Sequence, residues 1–253
     1  MIHAGSFRRA LVWLARPQAL LLLCLALLLL VEGASAFAHD ISQSDRAAVA
    51  RIEGPAPFAF LYLGAKHMVT GYDHVMFLIG VVFFLYRLRD VIIYVSMFTL
   101  GHSLTLLGWV LFTDPANPQF LGIARSGIPY IVDAIIGFSV VYKAFENLGG
   151  FKGLGISINT KLAVLGFGLF HGLGLGTKVV DLGLSDDGLL VNLVSFNVGV
   201  EVGQVVVLTV VVLLLNLWRP SKTFAPGAFY ANLALMAGGF ALIGYQLTGY
   251  FAS

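Results

Sequence analysis

The sequence predicts an all-α fold, a polytopic transmembrane helix bundle of about six spans behind a cleaved N-terminal signal peptide. Three observations lead there. Hydrophobic residues make up 58% of the 253-residue chain and charged residues only 11%, and the mean hydropathy is +0.90. A water-dispersed domain of that size needs far more polar surface. The apolar residues gather into stretches that match the roughly 20 helical residues needed to cross a hydrocarbon layer about 30 Å thick. Finally, the few ionisable side chains inside those stretches are mostly histidines and carboxylates, which are costly at bilayer depth and so mark function.

The first element reads as an export signal. Arg8, Arg9 and Arg16 form a positive start, residues 19–31 are an apolar run, and Ala34-Ser35-Ala36-Phe37-Ala38 supplies small residues for cleavage after Ala36 or Ala38. The run is short for a span and right for a signal core; a retained signal anchor is the alternative. The domain organisation expected is therefore a signal peptide over 1–38, a short external segment over 39–57 and one membrane domain over 58–253. Cys24, the single cysteine, falls in the signal, which excludes disulfides and thiolate metal sites in the processed chain.

Six apolar stretches then read as helices. The first covers 58–86 and is interrupted by Gly64 and Gly71, which suggests a re-entrant or tilted piece (58–70) leading into a span (72–86). The others are 91–112, 129–145, 162–176, 189–218 and 230–251, separated by breakers such as Asp114-Pro115 and Arg219-Pro220. Loop charge orients them. Arg87 and Arg89 follow the first stretch, Lys143, Lys152 and Lys161 surround the link from third to fourth, and Arg219 and Lys222 join fifth to sixth. The alternate loops carry Asp114 and then Asp181, Asp186 and Asp187. Positive loops stay in the cytoplasm, so both termini are expected on the periplasmic side of a bacterial inner membrane.

The intramembrane ionisable residues come from different helices. His67, Asp73 and His74 lie in the first stretch, and His67 and His74 share a face if the run is one continuous helix. His102 is in the second, Asp133 in the third and His171 in the fourth; Asn197, Glu201 and Gln204 stand at i, i+4 and i+7 in the fifth. At a rise of about 1.5 Å per residue, His74, His102, His171 and Glu201 each lie roughly 12–18 Å from the inner end of their helix, near the midplane. A lone intramembrane histidine serves equally well as an interhelical hydrogen-bond partner, and Asp133 could pair with Arg125 or cap a helix. Several at one depth point instead to a borderline divalent transition metal such as nickel, zinc, copper or iron, since imidazole favours such ions and carboxylates supply compensating charge. The expected ligands are His67, Asp73, His74, His102, His171 and Glu201, supported by Asp133, Asn197, Gln204 and Ser103.

Glycine and aromatic patterning completes the reading. Gly199 and Gly203 form a small-xxx-small pair, and Gly166, Gly168, Gly172, Gly174 and Gly176 leave a strip nearly free of side chains, suited to tight helix packing. Tyr62, Tyr72, Tyr86, Tyr130 and Trp218 are expected as interface anchors.

These residues carry a resemblance. The pattern H-x-x-x-G-x-D-H-x-x-F, here His67, Gly71, Asp73, His74 and Phe77, is followed in order by Phe98-Thr99-Leu100-Gly101-His102-Ser103-Leu104-Thr105-Leu106, by Phe167-Gly168-Leu169-Phe170-His171-Gly172, and by Phe196-Asn197-Val198-Gly199-Val200-Glu201-Val202-Gly203-Gln204. Over roughly 61–218 the chain resembles the HupE/UreJ family of bacterial membrane proteins. It departs where the family usually has Val-Glu and this chain has Val132-Asp133. The resemblance implies import or handling of nickel or cobalt, often linked to hydrogenase or urease. The partners expected are membrane lipid, a metal ion, and a larger membrane complex or metalloenzyme maturation system; no basic run suggests nucleic acid. A transporter leads, ahead of an accessory metal-binding subunit and an intramembrane metal-dependent hydrolase. No nucleotide-binding glycine loop is present, so ATP would not drive transport directly.

Overall fold

The computed structural model describes Val49, residues 52–113, 119–120, 123–180, Ser185 and residues 187–252. The expected signal peptide with Cys24, the turn at 114–118, Asp181 and Asp186 lie outside them.

Among the described residues, seven helices carry the fold: α1 (Pro57–Thr70), α2 (Tyr72–Val82), α3 (Leu88–Phe112), α4 (Ile128–Asn147), α5 (Thr160–Val180), α6 (Leu189–Trp218) and α7 (Phe224–Ala252). The last five are long and apolar enough to cross a membrane. A two-residue antiparallel pairing, Gln119 with Ala124 and Phe120 with Ile123, lies between α3 and α4, and a single helical turn, Gly150–Gly153, follows α4. The chain is thus a multi-pass helical membrane protein. Most helices run longer than the apolar stretches alone suggest. α5 continues to Val180 and takes in Lys178, and α7 starts at Phe224 rather than near 230.

The first stretch breaks once. Gly64 does not interrupt α1; only Gly71, in an extended conformation at φ −72° and ψ 92°, separates α1 from α2. At 11 residues α2 is too short to span alone. The pair nevertheless accompanies α6 from end to end. Asn192 near the start of α6 accepts from the Ala56 N–H at 2.7 Å and donates to the Gly54 carbonyl at 3.1 Å. At the far end the Arg219 guanidinium donates to the Val82 and Phe83 carbonyls at 3.0 and 2.9 Å, closing the C-terminus of α2. Burial pushes that guanidinium below its ordinary range, and Tyr86, whose ring lies 4.5 Å beneath it, acts in the opposite direction. α6 has 30 residues and is therefore about 45 Å long. α1 and α2 together form one broken span parallel to it, not a re-entrant loop.

Three helix pairs make the bundle, and each is built on backbone approach. Lipid is as apolar as leucine, so helices associate by close packing rather than by escape from water. In the parallel α1–α6 pair, a Cβ on Gly64 would collide with the Phe196 carbonyl and one on Gly199 with the Leu61 carbonyl. In the parallel α3–α5 pair, Gly101 lies on the Leu165 carbonyl, Gly168 on that of Phe98 and Gly172 on that of His102. In the antiparallel α4–α7 pair, Gly137 and Gly239 meet each other. Both the small-residue pair and the glycine strip are therefore packing surfaces, except that Gly166 faces open space. The buried Asn232 sits where α7 meets α4, and the Asn147 amide donates at 2.8 Å both to its Oδ1 and to the Gly80 carbonyl of α2. Tyr62 and Tyr86 are exposed, but Tyr72 opens α2 at the break and is not an end anchor.

The packing predicts a sharp contrast between glycines. Gly199→Val should lower the thermal unfolding temperature in detergent, by at least the roughly 1–3 kcal/mol typical of overpacking. Gly166→Ala should leave it unchanged or slightly raise it.

Candidate metal centre

The break at Gly71 creates the site. Breaking a helix in mid-span exposes the N-terminal amides of α2 where no water can satisfy them. Asp73, buried in the first turn, meets part of that need: its Oδ1 accepts the His74 backbone N–H at 2.8 Å. A carboxylate there also faces the positive end of the α2 dipole. The same oxygen lies 3.0 Å from His74 Nδ1. The carboxylate accepts, so Nδ1 carries the proton and Nε2 presents its lone pair. A Cβ at position 71 would stand 3.0 Å from His74 Nδ1 and 2.9 Å from the His67 carbonyl, so glycine is required by close approach.

Around His74 three further imidazoles gather. His171 lies 4.8 Å away between ring centroids, His67 5.1 Å and His102 6.0 Å, all edge to face. His74 and His171 are fully buried, His102 is 1% exposed and His67 is half-buried. His171 Nδ1 donates to the Phe167 carbonyl at 2.8 Å, one turn earlier on α5. A carbonyl can only accept, so this ring is also oriented with Nε2 free to bind. That buried Nε2 has no hydrogen-bond partner among the described residues. Phe98 and Phe77 pack on His171 at 5.0 and 5.2 Å, and Phe196 packs on His67 at 6.0 Å. The result is a polar centre in an aromatic sleeve, with each of α1, α2, α3 and α5 supplying one histidine.

Metal ligands commonly hold the imidazole N–H that does not bind the metal with a carboxylate or a backbone carbonyl. His74 and His171 have one of each. The rings as they stand are packed against one another, and among the described residues no group of three or more His, Cys, Asp or Glu side chains has the geometry to hold a metal ion. The donor set suits the metal, whereas closure of a coordination shell requires the rings to turn.

The remaining expected residues fall elsewhere. Asp133 belongs to a separate buried pair: its Oδ2 accepts from Lys178 Nζ at 2.8 Å and from the Gln246 amide at 3.3 Å. Lys178 is a partner because the extension of α5 carries it to the level of Asp133; the Arg125 side chain lies outside the described residues. Gln204 is buried and its Oε1 accepts from Thr99 Oγ1 at 2.8 Å, joining α6 to α3. Asn197 is buried and donates to the Leu193 carbonyl at 3.3 Å within its own helix. Glu201 is exposed and, with Ser103, lines a groove on the outside of the bundle. At about 100° per residue, Asn197 and Gln204 differ by roughly 20° around α6, whereas Glu201 is turned roughly 60° from Gln204. Sharing a face in the sequence did not suffice to bring Glu201 inward. Lys178 and Gln246 escaped the sequence reading: Lys178 lay beyond the expected end of its helix, and Gln246 carries no charge to single it out.

Residues 43–253 match the family described as HupE / UreJ protein, and the chain belongs to that family. No curated protein and no solved structure matches it.

The separation of Asp133 from the histidines gives a test. Asp133→Asn should destabilise the bundle by roughly 3–5 kcal/mol, the usual cost of removing one member of a buried ion pair. Combining Asp133→Leu with Lys178→Met should recover much of that loss. Thermal unfolding in detergent measures both, and metal content, measured in parallel, should match wild type.

Proposed function

Starting from membership of the HupE/UreJ family, we propose that this protein moves a divalent transition metal ion of the nickel or cobalt type across the membrane through the histidine centre. The observation that carries the reading is the convergence of four imidazoles from four helices, two of them locked with Nε2 as the available donor. Neutral imidazole favours nickel, cobalt, zinc and copper over calcium or magnesium, and the family association narrows the choice to nickel and cobalt.

The role of each residue follows from its bonds. His74 and His171 are the permanent donors, because their rings are already oriented. His67 and His102 flank them and complete the shell by rotating their rings. Asp73 keeps His74 in the correct tautomer and supplies negative charge against the arriving cation. The broken helix fits transport, since discontinuous spans are where transporters commonly place an ion near mid-membrane. An ion is bound there by side chains able to turn, which permits release as well as capture.

The orientation proposed is that of a bacterial inner-membrane protein with both termini periplasmic. Its support is charge: Arg87, Lys152, Arg219 and Lys222 lie in the links, and Arg89 and Lys161 in the first turns of α3 and α5, all on one side of the bundle.

Purified protein in proteoliposomes should take up nickel or cobalt, and His74→Ala should abolish uptake. A wild type without flux, or a His74→Ala variant with full flux, would overturn the reading. Metal content should fall in His102→Ala and His171→Ala, whereas Asp73→Asn should retain binding with affinity weakened roughly 10- to 100-fold.

A further inference from the structure

Glu201 is left outside the histidine centre in a place where a carboxylate is hard to keep. It lines a groove of about 550 Å³ between α3 and α6, with Ser96, Thr99, Ser103 and Gln204 as its polar neighbours and Ile92, Val95, Leu100 and Val205 as its apolar ones. Ser96, Leu100, Glu201 and Val205 are exposed, so the groove opens on the flank of the bundle. Glu201 lies roughly 18 Å from the start of α6 and 25 Å from its end, well inside the hydrocarbon layer. Its carboxylate makes no hydrogen bond or ion pair with a described residue.

An ionised carboxylate facing lipid is costly, while the neutral acid is tolerated. Among the described residues, the walls of the groove contain no cation to alter that balance. On α3 the charged and titratable residues Arg89, Asp90, Tyr94 and His102 all lie off the groove wall. The other helices packed on α6 carry Tyr62, Lys66 and His67 (α1) and Tyr72, Asp73 and His74 (α2), none of which lines the groove. The hydroxyls of Ser96, Thr99 and Ser103 offer hydrogen bonds to either form of the acid without fixing its charge.

We propose that Glu201 is a lipid-accessible proton site, distinct from the histidine centre, and that its proton is the coupling ion for metal movement. The second clause rests on the transport reading above; the first does not. Gln204 links the two regions physically: it lines the groove, and its bond to Thr99 ties α6 to α3, the helix that carries His102. A change of charge at Glu201 therefore acts on the α3–α6 contact beside the histidine centre.

The test uses the purified full chain in proteoliposomes. Dicyclohexylcarbodiimide, an apolar reagent selective for protonated carboxyl groups, should label Glu201, read by peptide mass spectrometry. A water-soluble carbodiimide should label it poorly. An imposed pH gradient should accelerate wild-type nickel or cobalt uptake several-fold and leave Glu201→Gln unaffected, while Glu201→Gln keeps wild-type metal content. Glu201→Asp should retain both labelling and the gradient response. Absence of label at Glu201, or equal labelling by the water-soluble reagent, overturns the proton site. An undiminished gradient response in Glu201→Gln overturns the coupling, and loss of bound metal in that variant returns Glu201 to the metal centre. If wild type moves no metal, the transport reading and with it the coupling fail; the labelling still decides the proton site.

Discussion

A helix that stops and restarts inside a bundle of apolar helices must satisfy its own backbone, and the rest of this molecule is arranged around that requirement. At Gly71 the chain leaves α1 and begins α2 among helices rather than in water. Asp73 accepts the His74 amide, and the same oxygen holds the His74 imidazole. One carboxylate therefore completes a helix start, fixes a tautomer and places negative charge beside four histidines. In a soluble protein, water could do the first of these tasks and the break would carry no chemical consequence.

The break is tolerated because α6 runs beside it as a continuous rod. Backbone contact at Gly64 and Gly199 holds α1 against α6, and Arg219 returns from the end of α6 to close α2. The α3–α5 pair uses the same device on the other side, with Gly172 on the His102 carbonyl and Gly168 on that of Phe98. Here packing and chemistry share residues. The glycines that let α3 and α5 approach closely flank His102 and His171, so the helix separation that stabilises the bundle also sets the spacing of the imidazoles. Buried polar pairs away from the centre serve the bundle instead. Asp133 with Lys178 joins α4 to α5, and Asn147 with Asn232 joins α4 to α7.

The two groups of ionisable residues differ in physical character. The histidine centre is enclosed, aromatic-lined and oriented by fixed acceptors. The Glu201 groove is open and lined by hydroxyls and apolar side chains. Gln204 lines that groove and bonds to Thr99 across the α3–α6 contact.

Much of this was determined by the sequence alone. Composition settled the all-helical membrane class, and the bounds of α6 could be read directly because Arg219-Pro220 marks where its apolar stretch ends. The intramembrane charge rule picked out His67, Asp73, His74, His102 and His171, all of which gather at the break, because ionisable side chains in spans have few places to go. Rotation and register were beyond it. That Gly71 breaks the helix while Gly64 does not depends on α6 filling the space beside Gly64. That Glu201 turns outward depends on how α1 and α3 divide the circumference of α6 between them. Asp133 meets Lys178 only because α5 continues past the point where its apolar run ends. Burial cost acts along the chain and is legible one residue at a time. Which face of a helix meets which neighbour is decided by contacts between helices distant in sequence, and the tertiary structure alone supplies those.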